Sequence, residues 1–272
     1  MTEATSTEGD IRSWFLSLLG VRQVFRSKYD AAALEEHFLR HFGNHTIKES
    51  LTNIMISAFD LINREPIFIT NMSEMLPGIG SYFHDYTFAE AARATSAAPV
   101  YLDPAEVKVG NLGTQLLIDG GIFANDPTLY AYLQALRMGF REDQIYVLSL
   151  GTGRHFIRQI YEKEAATWGL KDWLDPSKDV PLFSVLLDAP SKVTSRMMYK
   201  CFPNNYCRID GELHDSIQMD QATSSDIARI QHAALNIIGS HDNQDKIQKF
   251  ADIIIKEATA AAPVPDQVPS AA

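Results

Sequence analysis

Apolar residues recur at helical spacing at Ile11, Trp14, Phe15, Leu18 and Leu19, which predicts an amphipathic helix at the start of the ordered chain. A second helix is expected from about Asp30, its N-cap, to Phe42, with Gly43-Asn44 as the stop. The period then changes. Residues 53–59 and 67–70 are short, β-branched and aromatic, and Asn63-Arg64-Glu65-Pro66 supplies a turn between them, so a strand pair is expected. Thr87-Phe88-Ala89-Glu90 is a capping box that opens a short Ala-rich helix ending before Pro99.

Residues 115–118 form a short apolar strand running directly into Asp119-Gly120-Gly121. Asp126 as N-cap and Pro127 at the first helical position start a helix through Leu129, Leu133 and Leu136, which Gly139 ends. Residues 145–150 are a continuous apolar run of the kind buried on both faces of a sheet. Strand, helix and strand in this order predict a βαβ unit and a parallel sheet. Further helices are expected around 154–168, 181–200, 224–238 and 243–258, with a short strand near 206–209. The Met and aromatic residues around 182–206 read most simply as core. The expected organisation is an unstructured stretch over residues 1–10, one α/β domain over 11–257, and an Ala- and Pro-rich disordered tail over 258–272.

Composition narrows the function classes. Of 272 residues, 46% are hydrophobic and 21% charged, which suits a globular domain with a substantial core. The net charge of −10 repels phosphate backbones, so nucleic acid is not an expected partner. A lipid surface remains open, because interfacial binding can rest on apolar area. Cys201 and Cys207 are too few for a disulfide framework. With no basic start, no apolar leader and no membrane-length apolar run, a cytoplasmic or unconventionally secreted protein is expected.

Asp119 is the leading candidate for chemistry. It stands at the carboxyl end of an expected strand, where parallel sheets deliver functional residues. The glycines after it permit close backbone approach or positive φ. From spacing alone, an Asp that merely caps a loop at a strand–turn junction is the favoured reading.

Its surroundings add a resemblance. Residues 91–99 (AARATSAAP), 117–121 (LIDGG) with Asn125-Asp126-Pro127, and 147–153 (VLSLGTG) follow one another as in the patatin-like phospholipase family. Lys28-Tyr29-Asp30 with Leu34-Glu35-Glu36, and Asn205-Tyr206-Cys207-Arg208-Ile209, are also similar to that family; the likeness covers about residues 28 to 240. It implies a partial three-layer α/β sandwich, a mainly parallel sheet flanked by helices and missing its N-terminal strands. It also implies hydrolysis of lipid acyl esters by a Ser–Asp dyad, with Asp119 as proton acceptor, Gly120 and Gly121 as motif support, and no metal or other cofactor. A free aspartate is a weak base at neutral pH, so such a site needs burial to raise its pKa.

The partner of Asp119 is not evident. The family's nucleophile sits on a G-x-S-x-G elbow, and no such pattern occurs in the 272 residues. No Gly-rich oxyanion loop precedes Asp119 either. Ala4-Thr5-Ser6-Thr7-Glu8-Gly9 looks like a degraded elbow, but the chain leaves no room for a strand before Ser6, so Ser6 reads as tail.

Other clusters read as structural. His37 and His41 are spaced to share a metal on one helix face, but Gly43 precedes His45 and no carboxylate completes a set. His84-Asp85 suggests a triad only by adjacency. Gly151-Thr152-Gly153 lacks the rest of a phosphate-binding fingerprint and suits a tight turn.

Three functions are therefore expected in order. The first is a lipid acyl hydrolase of which these residues hold the aspartate but not the serine, a fragment or a mis-started frame, inactive alone. The second is a catalytically silent protein of the same fold that binds lipid, a membrane surface, or a protein partner covering an exposed sheet edge. The third is an unrelated α/β nucleotide-binding protein using Gly151-Thr152-Gly153.

Overall fold

The computed structural model describes residues 27–72, 85–109, 113–155, 165–173, 181–214 and 220–261. The helix expected around Ile11–Leu19, Ser6, His84 and most of the C-terminal tail lie outside them. Two compact units are present, one formed by Met1–Arg141 with Ile160–Met197 and the other by Glu142–Gln159 with Met198–Ala272.

In the first unit the local signals act as their chemistry dictates. The Asp30 carboxylate accepts the Ala32 N–H at 2.9 Å and starts α1 (Ala32–Phe42), and Gly43 ends it at φ 55° with its N–H on the Leu39 carbonyl. Strands β1 (Met55–Asp60) and β2 (Glu65–Thr70) form an antiparallel hairpin, with Ser57 opposite Phe68 and Ala58 opposite Ile67. Pro66 is tolerated because β2 lies at the edge of the sheet. Thr87 and Glu90 close the capping box of α2 (Phe88–Thr95) in both directions.

Strand β3 (Ala105–Lys108) was not visible as a pattern. It pairs antiparallel with β4 (Thr114–Asp119) across a turn in which the Val109 N–H meets the Gly113 carbonyl and Gly113 takes φ 91°. A single helical turn α3 (Gly121–Ala124) and the helix α4 (Thr128–Arg137) follow. Asp126 accepts the Thr128 N–H at 3.1 Å from the position before Pro127, which stands at the N-cap of α4 in place of the expected Asp126. The unit also holds α5 (Leu170–Trp173) and α6 (Pro181–Cys201) as far as Met197.

The α/β class stands, but the strand directions differ from the expectation. The four-stranded sheet runs in the order β2-β1-β4-β3, with every neighbouring pair antiparallel. Apolar runs report burial and not direction, and two of these three pairings follow short connections that can only reverse the chain. Strand alternation gives the sheet two apolar faces. Ala58, Ile67, Ile69 and Leu117 pack with Tyr86, Ala91 and Ala94, while Phe68 packs on the opposite side with Ala124, Phe123 and Tyr130.

The second unit carries the parallel pairings. Strands β5 (Val147–Leu150) and β7 (Tyr206–Ile209) are parallel neighbours, as are the two-residue strands β6 (Arg154–His155) and β8 (Glu212–Leu213). Among the described residues, no strand pairing joins β4 to β5, so the expected βαβ pairing is not among those present. The helix expected from 154 begins instead as β6, because Gly153 turns the chain at φ 85° and the Arg154 N–H bonds the Gly211 carbonyl.

Nor is β5 buried on both faces. Ser149 is buried and receives the Arg208 guanidinium at 2.8 Å, whereas Leu148 and Leu150 are exposed, the alternation of a half-buried strand. Helices α7 (Ser224–Gly239) and α8 (His241–Ala261) complete this unit. Helix α8 extends past 258 because Ala continues a helix well until Pro263 approaches.

Candidate active site

Asp119 is the last residue of β4, opposite Ala58 of β1. Its backbone N–H donates to the Ala97 carbonyl at 3.1 Å, and its carboxylate accepts the Gly121 N–H at 2.8 Å. Burial pushes the Asp119 carboxyl above the usual aspartate range, and the Gly121 hydrogen bond opposes that rise. The result is a half-desolvated carboxylate with one defined orientation and a greater proton affinity than a free aspartate.

The two glycines serve close approach and not unusual dihedrals. Gly120 has φ −75°, in the ordinary helical region. A Cβ there would lie 2.4 Å from the Ser57 carbonyl carbon and 2.6 Å from the Ser57 Oγ. Gly121 is less confined, its imagined Cβ lying 3.2 Å from the Asp119 carboxylate and 3.5 Å from Asn125 and Leu187. Asn125 ties the same loop to α6 by donating to the Leu187 carbonyl at 3.3 Å.

The last residue of α2 and the segment after it hold the other side of this junction. Thr95 donates its hydroxyl to the Ser57 carbonyl at 2.8 Å, two residues before Ala97 receives Asp119. Two of the family-like segments, residues 91–99 and 117–121, thus meet over the ends of β1 and β4. Ser57 is the residue they share, and nothing in its strand sequence pointed to that position. Arg93 has a supporting role, its guanidinium buried between Glu35 at 2.9 Å and the Asp103 carbonyl at 2.8 Å. Among the described residues no serine hydroxyl hydrogen-bonds the Asp119 carboxylate.

The rings of His37 and His41 lie 4.2 Å apart, tilted by 38°, on the exposed face of α1, and His45 meets Glu49 at 3.3 Å. No group of three or more metal-ligating side chains occurs among the described residues. In the second unit, a Cβ on Gly151 would strike the Asp210 carboxylate at 2.4 Å, so an acidic group already covers the Gly151-Thr152-Gly153 turn. Arg208 at 3.1 Å and Arg154 at 3.9 Å pair with that carboxylate, and the close packing over Gly151 favours the tight-turn reading. Cys201 is exposed, and burial raises the thiol pKa of Cys207. No described helix is long and apolar enough to cross a membrane.

Comparison with known proteins agrees with the motifs. The sequence profile of patatin-like phospholipase matches residues 6–132. Patatin-like protein 2 of Arabidopsis thaliana is 30% identical over 263 residues, covering 88% of this chain and 60% of the relative. Patatin-like protein 4 of the same plant is 24% identical over 86% of this chain and 68% of its own length. Probable inactive patatin-3-Kuras 1 of Solanum tuberosum is 29% identical over 55% of this chain and 43% of the relative. The chain spans about three-fifths to two-thirds of the length of these two patatin-like proteins of Arabidopsis thaliana. With the segment 91–99 and the strand end 117–121 joined as described and this similarity beside them, the chain belongs to the patatin-like phospholipase family.

Proposed function

We propose that this chain contributes the aspartate half of a lipid acyl-ester hydrolase site, with Asp119 as the base of a Ser–Asp dyad. The observation that carries the reading is the state of the Asp119 carboxyl. It sits at a strand end, raised in pKa by burial, and is oriented by the Gly121 N–H. A general base works best when its pKa approaches the working pH, and burial moves an aspartate in that direction. In the catalytic step the base takes the proton of the attacking serine hydroxyl as its oxygen bonds the acyl carbon. The same proton then passes to the leaving alcohol oxygen as the ester C–O bond breaks.

On this reading the nucleophile is not among residues 1–272, and those residues do not turn over esters by themselves. A p-nitrophenyl ester assay on residues 1–272 tests this directly. The expected result is no hydrolysis above background, and turnover that Asp119→Ala abolishes would overturn it. Joined to a patatin-like segment bearing G-x-S-x-G, the chain is expected to gain activity that Asp119→Asn removes. Activity surviving Asp119→Asn would refute the role given to this residue.

A second reading is a catalytically silent protein of the same fold that binds lipid or a protein partner. Similarity to a relative whose own name marks it inactive favours it. If it holds, fusion to the elbow segment yields no turnover, and acyl-ester analogues stabilise Asp119→Asn as well as the parent chain.

A further inference from the structure

Helix α6 carries an apolar stripe that the fold does not bury. Leu182, Val185, Leu186, Ala189, Val193 and Met197 follow one another at steps of three, one and four residues, which places them along one side of a helix. The five larger ones are between 37% and 54% exposed, contrary to the core placement expected for this segment, while Thr194 and Met198 on the opposite side are buried. The buried side also anchors the helix. Leu187 gives its carbonyl to Asn125 and sets its side chain 3.5 Å from where a Gly121 Cβ would stand. The exposed stripe is thus carried by the helix that packs on the loop leaving Asp119.

Charge identifies the kind of surface that fits. Lys192 and Arg196 are exposed one turn apart along one edge of the stripe, and Asp188 pairs with Lys192 at 2.9 Å. Apolar side chains edged by cations are the composition of a helix that lies in a lipid interface, with aliphatic groups at the acyl boundary and cations at the headgroups. The charge of the whole chain, −10, disfavours anionic lipid, so the local cations matter. We propose that the exposed face of α6 docks this protein on an anionic phospholipid surface, which brings the Asp119 loop to the interface. The proposal deepens the lipid-ester reading by naming how the substrate surface is met.

The test is co-sedimentation of the full chain with vesicles of phosphatidylcholine and of phosphatidylcholine with phosphatidylglycerol. Binding to the mixed vesicles is expected. Leu186→Glu with Val193→Glu should weaken it at least ~10-fold, since each buried aliphatic side chain contributes more than that factor. The milder Leu186→Ser should weaken it in the same direction, and circular dichroism verifies the fold of both. Arg196→Glu should lower binding to the mixed vesicles roughly 5-fold and leave binding to phosphatidylcholine alone unchanged. Asp119→Asn is expected to bind as the parent chain does, so failure of the catalytic reading leaves this result standing. No vesicle binding by the parent chain, or undiminished binding by the stripe variants, would overturn the proposal. So would stripe variants that change only the sedimentation coefficient, which would assign the face to a second copy of the chain.

Discussion

Gly120 rests against Ser57 so closely that a methyl group on Gly120 would stand 2.4 Å from both the carbonyl carbon and the Cβ of its neighbour. Neither residue can yield cheaply. Ser57 is fixed in β1 by its pairing with Phe68 and by the Thr95 hydroxyl, and Gly120 continues from a strand end held by Ala97. The contact sets how far the chain after Asp119 stands from β1.

Gly120→Ala should therefore be among the costly small substitutions. Forcing one methyl into a packed backbone contact costs about 1–3 kcal/mol. The gain in helix propensity from Ala, at most about 1 kcal/mol, offsets part of it. A lower Tm than the parent chain is expected, with Gly121→Ala falling less because its neighbours begin at 3.2 Å. Thermal melts of the two variants check the order, and equal losses would show that the Ser57 contact is not the cause.

The Asp119 carboxyl predicts a pH dependence whose sign is opposite to that of a salt-bridged aspartate. Its folded pKa is raised by burial, so between the unfolded and folded values the native state holds more protons than the unfolded chain. Stability from this group is complete below the ordinary aspartate value of 3.8 and declines as pH rises through the folded value. Asp119→Asn keeps an acceptor for Gly121 and removes the charge. It should melt higher than the parent chain at neutral pH, with the difference shrinking toward acid. Melts across the acid range decide it, and a difference that grew as pH fell would contradict the assignment.

Glu35 and Arg93 form an asymmetric ion pair, the guanidinium nearly inaccessible at 8% exposure and the carboxylate open at 52%. Removing the exposed partner strands the buried one. Glu35→Ala is expected to cost about 1–3 kcal/mol, less than the full penalty for a pair buried on both sides because solvent reaches the Glu35 position. Glu36→Ala breaks the exposed Glu36–Arg40 pair one residue away and should cost under about 1 kcal/mol. Urea unfolding of the two variants gives the comparison.

Val100 stands at φ 76°, a region that a β-branched residue enters only under constraint. The constraint is visible in the Lys28 N–H donating to the Val100 carbonyl at 2.9 Å, directly after Pro99. Relief of this strain is worth about 1–3 kcal/mol, against roughly 0.5–1 kcal/mol for the added freedom of glycine in the unfolded chain. Val100→Gly should leave Tm unchanged or raise it, where a valine-to-glycine change elsewhere lowers it. A Tm loss of several degrees would show that the Val100 side chain contributes more than its exposed position indicates.

By itself the sequence determined what short-range chemistry controls. Thr87 with Glu90 caps its helix, and Asp30 and Asp126 each accept the first N–H of theirs, because a side-chain oxygen two or three residues from an unpaired N–H needs no distant partner. The strands expected at 53–59, 67–70, 115–118 and 206–209 were likewise legible in their composition, although β2 begins at Glu65 inside the expected turn and β1 and β4 differ by one or two residues at their ends; Asp119 was placed at a strand end. Only the tertiary structure decided which strands became neighbours and in which direction, since an apolar run states that it will be buried and not against what. That choice made β4 an antiparallel neighbour of β1, brought Ala97 to Asp119 and set Ser57 under Gly120. It also left the stripe of α6 exposed, because which side of an amphipathic helix meets the core depends on what the rest of the chain brings to it.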